Sequence, residues 1–213
     1  MKNYIDTIVP ENYLKIWNDI MYEQQYKKLS SRGTLVEDTL DRISKRAYFM
    51  VKLARHYGSK NIAEVGTATG WQFYSFGEYL SSENKDGKIF SCDIKDVRNS
   101  DYVNKYDVCD FTLGDSSHMS NKIKDSGRKI DMFWIDGDHV KGAVPTDISN
   151  LAEHQSEYPV WIFDDYDNQF GVFEDLNNIL EKVSKREKDN NIKIIEQNTN
   201  NHMLIWEGRF DIS

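Results

Sequence analysis

Cysteine, proline and long apolar runs are all scarce in this chain of 213 residues. Its two cysteines, Cys92 and Cys109, fall in strand-like segments, which indicates buried thiols in a reducing compartment rather than a disulfide framework. Three prolines beside abundant aromatic residues favour a packed globule over a disordered chain. No apolar run is long enough to cross a bilayer, and no signal-peptide core follows Met1. We therefore expect a cytoplasmic protein without a membrane partner.

Acidic residues outnumber basic ones, giving a formal net charge of −8. Nucleic acid is a polyanion and is therefore a poor default partner. The length suits one α/β domain with a substantial core. We expect a single domain over residues 1–213, in which a helical cap at 1–57 precedes an α/β core at 58–213. The aromatic N-terminal region is interpreted as a cover for a substrate, a packing layer or the surface of a homodimer.

Hydrophobic periodicity predicts the order of the helices and strands. In the cap, helical spacing predicts one helix over about 11–29 and another that runs from a capping box at Thr34–Glu37 to Gly58. Strands are predicted at 61–65, 88–93, 109–113, 130–135 and 159–163, followed by a helix at 171–186 and a hairpin of strands at 192–196 and 202–206. The expected fold class is α/β: a Rossmann-like, doubly wound, mostly parallel seven-stranded sheet with a C-terminal antiparallel hairpin.

The loop after the first predicted strand is the most informative segment. Its sequence, Glu64-Val-Gly66-Thr-Ala-Thr-Gly70, leads directly into a helix predicted from Trp71. Glycines let the backbone approach a ligand, and a helix N-terminus presents free N–H groups there. The spacing matches neither the dinucleotide fingerprint nor the P-loop, and Glu64 favours a cationic ligand over a phosphate. A turn that merely joins strand to helix is the alternative interpretation.

Acidic residues recur where the five leading strands end. Because ligands of an open α/β sheet bind outside the carboxyl ends of its strands, these residues predict one shared site. Asp93 is placed to accept bonds from ribose hydroxyls, and Asp115 with Ser116 is placed to line an adenine pocket, although each aspartate taken singly is also a normal helix cap. The predicted cofactor-binding residues are Glu64, Gly66, Thr67, Gly70, Asp93, Asp115, Ser116 and Asp136.

Three carboxylates are predicted to converge at the fourth and fifth strands. Asp136, Asp164 and Asp165 would repel one another strongly unless a cation or proton intervened. A hard divalent ion with oxygen ligands satisfies all three, whereas the alternative is that one aspartate caps a helix and another pairs with a basic side chain. His139 lies beside these acids and is predicted as the general base, with Lys141 as its rival.

Three motifs together resemble a known enzyme family: Glu64-Val-Gly66-x-x-x-Gly70, Asp136-Gly-Asp-His139 and Asp164-Asp-Tyr166. They are similar to class I S-adenosylmethionine (SAM) methyltransferases, and most of all to metal-dependent O-methyltransferases of the macrocin type, which modify sugar hydroxyls. Catechol and caffeoyl-CoA O-methyltransferases are more distantly similar. The resemblance spans about residues 60–170.

The resemblance implies SAM as cofactor and Mg²⁺ or Mn²⁺ held by Asp136, Asp164 and Asp165. It also implies methyl transfer to a hydroxyl of a glycan or a glycosylated small molecule. Catechol-type enzymes carry a lysine where His139 stands, so the proton acceptor is His139 or Asp136. The alternatives are a catechol-like phenol as acceptor, a nicotinamide-dependent oxidoreductase, and a catalytically silent methyltransferase-like scaffold. The glycine spacing argues against the oxidoreductase, and the intact aspartates argue against the scaffold.

Overall fold

The computed structural model describes residues 13, 15, 16, 36–83, 86–183, 191–198 and 201–210. Most of the helix predicted over 11–29, together with Thr34 of the predicted capping box, lies outside these residues. The second cap helix is α1 (Val36–His56). It is followed by Gly58 in the left-handed conformation, with φ of +64°, and the amide of Ser59 donates to the carbonyl of Ala54 at 2.8 Å. Gly58 thus ends the helix as predicted.

Strands and helices alternate after this cap. The strands are β1 (Asn61–Val65), β2 (Lys88–Asp93), β3 (Cys109–Leu113), β4 (Ile130–Ile135), β5 (Gln155–Phe163), β6 (Ile192–Asn198) and β7 (Asn201–Glu207). The helices between them are α2 (Trp71–Glu83), α3 (Ser116–Ser126), α4 (Ala143–Leu151) and α5 (Gly171–Glu181), with short 3₁₀ turns at Ser100–Tyr102 and Ala152–His154. No described helix has the length and apolar character of a membrane span.

The seven strands form one sheet in the order β3-β2-β1-β4-β5-β7-β6. Strands β1 to β5 pair in parallel, and β7 runs antiparallel to both β5 and β6. This is the mostly parallel, doubly wound sheet with a terminal antiparallel pair that the sequence predicted. Because the chain first builds outwards from β1 through β2 and β3 and then returns to β4, a crevice opens between the carboxyl ends of β1 and β4.

Both faces of the sheet are covered by helices, because alternate strand residues point to opposite sides. On one face, Ile62 and Trp134 pack in a core shared with α1 and α2. On the other face, Phe133 stacks on Trp161 with 3.7 Å between ring centroids, within a core shared with α3, α4 and α5. Strands buried on both faces read as continuous apolar runs, which is why the sequence located them well.

The main difference from prediction lies at β5, which begins at Gln155 rather than at residue 159. Its first part carries exposed Glu157 and Tyr158, so the apolar signal of a strand starts only later. The register against β4 also shifts there, between the pairs Ile130–Gln155 and Met132–Val160. The irregular start leaves the carboxyl end of β5, and therefore the predicted site, in the expected place.

Candidate active site

The crevice residues are brought together by backbone pairing that continues past the strand ends. The amide of Asp136 donates to the carbonyl of Val65 at 2.9 Å, and the amide of Asp164 donates to the carbonyl of Ile135 at 3.0 Å. The residues that follow β1, β4 and β5 therefore lie side by side. The structure places the glycine loop and the two acidic segments at one edge of the sheet.

The glycine loop is clamped between β2 and β4. The amides of Gly66 and Thr67 both donate to the carbonyl of Cys92, at 2.9 and 3.2 Å. Gly66 has φ of +96°, and a Cβ atom there would lie 2.0 Å from the carbonyl oxygen of Asp136. Gly70 has φ of +90°, and a Cβ atom would meet the Tyr74 ring at 2.5 Å. Only glycine fits at these two positions, so the spacing of this motif follows from its packing.

Glu64 is fully buried at the end of β1. The hydroxyl of Ser91 donates to its Oε2 at 2.5 Å, and the same hydroxyl lies 2.6 Å from Oγ1 of Thr67. Burial raises the pKa of Glu64 to about 8, so this side chain carries a proton at neutral pH when the site is empty. The sequence did not reveal this burial, because Glu64 was interpreted as a charged group facing a cation.

Several buried polar atoms around the loop have no hydrogen-bond partner among the described residues. They are Oε1 of Glu64, Oγ1 of Thr69, and both amide atoms of Gln72. Gln72 is 2% exposed and lies in the first turn of α2. Buried polar groups are normally paired, so this concentration of unpaired atoms indicates where a polar ligand would supply the missing partners.

Asp93 ends β2 and turns its carboxylate towards two loops. One oxygen accepts from the amide of Ala68 at 2.8 Å, and the other accepts from the amide of Lys95 at 3.0 Å. Ala68 itself is left-handed, with φ of +47°, which few residues with a side chain adopt. Asp93 therefore fixes the shape of the glycine loop and remains within reach of a ligand that lies on it.

Asp115 caps α3, accepting from the amides of Ser117 and His118. Its hydrogen bonds from Ser117 and His118 lower the pKa of the carboxyl well below its ordinary value. Asp115 is thus a helix cap, which was the alternative interpretation left open by the sequence. The neighbouring Ser116 is buried and donates to Oδ1 of Asp147 at 2.6 Å. Burial raises the pKa of Asp147 to about 6. The sequence did not single out Asp147, since a polar residue within a short helix carries no distinctive signal.

The second half of the site is an acidic cluster at the ends of β4 and β5. Nε2 of His139 lies 2.9 Å from Oδ2 of Asp165, and this hydrogen bond raises the pKa of His139. Burial and the neighbouring Asp164 raise the pKa of Asp136 well above its ordinary value. Asp165 has φ of +51°, a conformation that costs free energy and is concentrated at functional sites.

Arg46 of α1 completes this cluster. Its Nη1 atom contacts Oδ2 of Asp164 in an ion pair, and Nη2 lies 3.5 Å from Oδ2 of Asp136. The guanidinium carbon lies 4.9 Å from the ring centroid of Trp71. Sequence reasoning missed Arg46, although a signal existed. Arg46 follows Ile43 by three residues and precedes Met50 by four, which places a cation on the apolar face of a helix.

A family model described as a methyltransferase domain matches residues 63–166. The matched segment contains the glycine loop, Asp93, Asp136, His139 and the acidic pair at 164 and 165. Over these residues, a little under half of the chain, the sequence is similar to a methyltransferase domain. The resemblance inferred from the sequence motifs is thereby confirmed, and the sheet order is that of the class I methyltransferases. Among curated proteins, none matches this sequence.

Solved structures share the fold of the methyltransferase domain over almost the whole chain. An O-methyltransferase from Bacillus cereus in complex with SAH is 14% identical, with 98% of this chain and 96% of that chain covered at a TM-score of 0.68. TomG, an O-methyltransferase from Streptomyces achromogenes in complex with SAM, is 12% identical, with 97% and 94% covered at 0.64. SAH-bound PaMTH1 from Podospora anserina is 12% identical, with 93% and 88% covered at 0.62.

The residues of the methyltransferase domain fit both groups that the resemblance implies. For the cofactor, the unpaired polar atoms of Glu64, Thr69 and Gln72 surround the glycine loop at the N-terminus of α2. For a metal ion, the carboxylates of Asp136 and Asp165 lie within 4.8 Å of each other and of the His139 imidazole, while Asp164, the third predicted ligand, pairs with Arg46. Carboxylate oxygens are the donors that suit Mg²⁺ or Mn²⁺.

The other basic candidates lie in different surroundings. Lys141 is exposed and forms an ion pair with Glu174 of α5. His118 contacts the carboxylate of Asp115 at 2.7 Å, and Nε2 of buried His154 lies 2.8 Å from the hydroxyl of Ser120. Of these histidine and lysine side chains, His139 is the one that contacts the acidic cluster.

Proposed function

We propose that this domain transfers a methyl group from SAM to a hydroxyl oxygen, with a divalent cation in the acidic cluster. The observation that carries the proposal is the placement of His139, Asp136 and Asp165 beside a glycine loop whose polar neighbours lack partners. A cofactor loop alone is compatible with many reactions. A base and a set of metal-type donors at the same sheet edge favour activation of an acceptor oxygen.

In this proposal, the cofactor lies across the ends of β1, β2 and β3. SAM supplies a methyl group on a positively charged sulfur. Gly66, Thr67 and Gly70 would provide the close backbone approach, and buried Glu64 would offer a partner for the cofactor's positive end. Asp93 would accept from the ribose hydroxyls. Asp115 and Ser116 would border the adenine. Together with Asp136, which also belongs to the acidic cluster, this set keeps all the cofactor residues predicted from the sequence.

The cation would be held by the carboxylates at 136, 164 and 165. When bound there, Mg²⁺ or Mn²⁺ supplies Lewis acidity that lowers the pKa of an acceptor hydroxyl. Oxygen ligands from carboxylates are what these ions prefer. The side chain of Asp164 is 1% exposed, so little water competes with a ligand for its carboxylate.

His139 takes the acceptor's proton in this proposal. Its Nε2 atom is held by Asp165 at 2.9 Å, so Nδ1 is the ring nitrogen available to the substrate. Asp165 orients the ring and stabilises the imidazolium that forms, as the carboxylate of a catalytic triad does. The side chain of His139 is 41% exposed, which lets an incoming hydroxyl reach it. Asp136 remains the second candidate for the proton acceptor.

For the acceptor, we propose a sugar that carries adjacent hydroxyls. Two neighbouring oxygens chelate a metal ion, and a base beside the ion then removes one proton. A catechol offers the same pair of oxygens and is the alternative acceptor. The preference for a sugar rests on the Asp136-Gly-Asp-His139 and Asp164-Asp-Tyr166 motifs, which are nearer those of the sugar-modifying group.

A methyl-transfer screen tests the proposal. The protein is incubated with SAM and a panel of glycosides and catechols, and products are detected by mass spectrometry with added Mg²⁺ and with EDTA. We expect methylated glycosides, and loss of product in EDTA. Full activity in EDTA would remove the metal from the mechanism. Binding of NADH but not SAM in a calorimetric titration would favour the oxidoreductase, and SAH binding without any transfer would favour a silent scaffold.

The Asp164→Asn variant sharpens this screen. The substitution keeps the size of the side chain but removes the charge that a cation requires. We expect transfer to fall by about two orders of magnitude or more, while SAH affinity in calorimetry stays close to that of the original protein. Equal losses of transfer and of SAH affinity would contradict the separation between a cofactor half and a metal half of the site.

A further inference from the structure

Arg46 contacts the same carboxylates to which we assign a metal. We propose that Arg46 is a positioning residue, whose guanidinium holds Asp136 and Asp164 in the metal-free protein and competes with a divalent cation for them. The inference rests on the proposed function, because it concerns the same acidic cluster. It adds a residue outside the segment matched by the methyltransferase family model, which begins at residue 63.

The position of Arg46 follows from the packing of α1. Ala47, Met50 and Val51 on this helix are fully buried in the core that also contains Ile62 of β1 and Trp134 of β4, so the helix is anchored on this face of the sheet. Arg46 lies on the same side and extends past this core to the acidic cluster, with its side chain 17% exposed. An arginine so placed brings a permanent charge to a fixed point.

The surroundings of the guanidinium are shaped to hold a cation. Its carbon lies 4.9 Å from the ring centroid of Trp71 and 5.8 Å from that of Trp134, within the range of cation–π attraction. The terminal nitrogens face Asp164 and Asp136. Nε is buried and has no partner among the described residues. The acids and ring faces therefore contact the guanidinium at its far end.

Charge balance explains why such a residue is needed. Asp136, Asp164 and Asp165 would otherwise place up to three negative charges in a poorly hydrated space, and leaving a buried charge unpaired is strongly destabilising. Arg46 offsets part of that charge when no metal is present. A divalent cation requires the same carboxylate oxygens, and two cations repel each other at this range. Arg46 therefore stabilises the empty site and weakens the metal's hold on it.

Arg55 offers a matched control on the same helix. It forms an ion pair with Glu83, but the two side chains are 34% and 40% exposed. Such a solvated pair contributes little to stability, and it lies outside the acidic cluster. A change at Arg55 thus removes the same side chain from the same helix without altering the charge near the proposed metal.

The test is calorimetric titration of Mn²⁺ into protein stripped of metal, for the original chain and for Arg46→Gln, Arg46→Lys and Arg55→Gln. We expect Arg46→Gln to bind Mn²⁺ at least about tenfold more tightly, because a competing charge has gone. Arg46→Lys and Arg55→Gln should stay within about threefold of the original affinity, since both leave a positive charge near the acids. Without metal, Arg46→Gln should also melt at a lower temperature, and Mn²⁺ should restore it.

Three results would count against the inference. Unchanged or weaker Mn²⁺ binding by Arg46→Gln would show that Arg46 does not compete for the carboxylates. Absence of Mn²⁺ binding by every variant would overturn the metal site as well, while methyl transfer in EDTA would show separately that the transferase activity stands. If Arg46→Gln fails to fold by circular dichroism, an approximately tenfold change in Mn²⁺ affinity for Arg46→Lys would still contradict the expectation that charge, and not side-chain shape, sets the affinity.

Discussion

His139 and Asp165 form a hydrogen-bonded pair, with 2.9 Å between Nε2 and Oδ2. The two residues follow different strands, β4 and β5, and meet because those strands are neighbours in the sheet. An imidazole held by a carboxylate at one nitrogen presents its other nitrogen in a defined direction. The proposed role of His139 as the base depends on this pair.

Replacement of His139 by glutamine removes the proposed base and keeps a polar side chain. We expect kcat to fall by about 10²- to 10⁴-fold, the usual contribution of a positioned base, while SAH affinity in calorimetry is unchanged. The control is Lys141→Gln, because Lys141 is exposed and paired with Glu174. Loss of activity in the Lys141 variant, with activity retained in the His139 variant, would reverse the assignment.

Glu64 makes stability depend on pH in an unusual direction. Burial raises its pKa from an ordinary value of 4.5 to about 8, so between these values the folded chain holds a proton that the unfolded chain has released. The free energy of unfolding should therefore fall as pH rises through this window, by up to about 1.4 kcal/mol per pH unit. Urea unfolding of the cofactor-free protein between about pH 5 and pH 8 measures this slope.

The Glu64→Gln variant isolates that effect. Glutamine is neutral at every pH in the window, so the contribution of Glu64 to the slope disappears. Relative to the original protein, the variant should gain stability as pH rises towards 8 and lose this advantage near pH 5. An identical pH dependence in the two proteins would show that Glu64 is ionised in the folded state.

Gly66→Ala tests the clamp on the cofactor loop. The new Cβ would lie 2.0 Å from the carbonyl oxygen of Asp136, so the loop must move. We expect destabilisation of about 1–3 kcal/mol and SAH binding at least about tenfold weaker, since a misplaced loop forfeits its backbone contacts. Gly127→Ala is the control. Gly127 is also left-handed, but nothing lies within 4 Å of its Cβ position. If Gly66→Ala and Gly127→Ala weakened SAH binding equally, a specific role for the glycine loop would be excluded.

Asp93→Ala tests the cofactor half of the site from the second strand. Its carboxylate accepts from the amide of Ala68 in the glycine loop at 2.8 Å and is proposed to accept from ribose. Loss of both contacts should weaken SAH binding by about 2 kcal/mol or more, measured by calorimetry. Asp96→Ala is the control, because Asp96 pairs with Arg98 on the same loop. Unchanged affinity in Asp93→Ala would remove the ribose assignment.

The sequence located the strands and their acidic ends well, because both carry local signals. Apolar runs such as Met132–Ile135 are buried on both faces, and the topological rule then places every strand end at one edge. The start of β5 was missed because its exposed residues hide the strand pattern. A strand was therefore predicted well where its burial produces an apolar run, and poorly where its residues are exposed.

The rest of the site depends on contacts between distant residues. Arg46 meets Asp164 across 118 positions of the chain, and no local pattern specifies such a partner. The raised pKa of Glu64 likewise depends on its complete burial in the folded chain, which outweighs the opposing hydrogen bond from Ser91 of the neighbouring strand. Residue types and strand ends predicted which side chains lie in the site. Their hydrogen bonds and ion pairs could be identified only from the tertiary structure.

The central claim is tested most directly by identifying the substrate atom that receives the methyl group. The protein, Mg²⁺ and a sugar acceptor are incubated with SAM that carries a ¹³C-labelled methyl group, and the product is examined by NMR. We expect one new ¹³C resonance in the methoxy region, correlated with a sugar ring proton, and no such resonance after EDTA treatment. A labelled methyl group bonded to nitrogen, sulfur or carbon would contradict O-methylation, and an unchanged methoxy signal in EDTA would contradict the proposed metal.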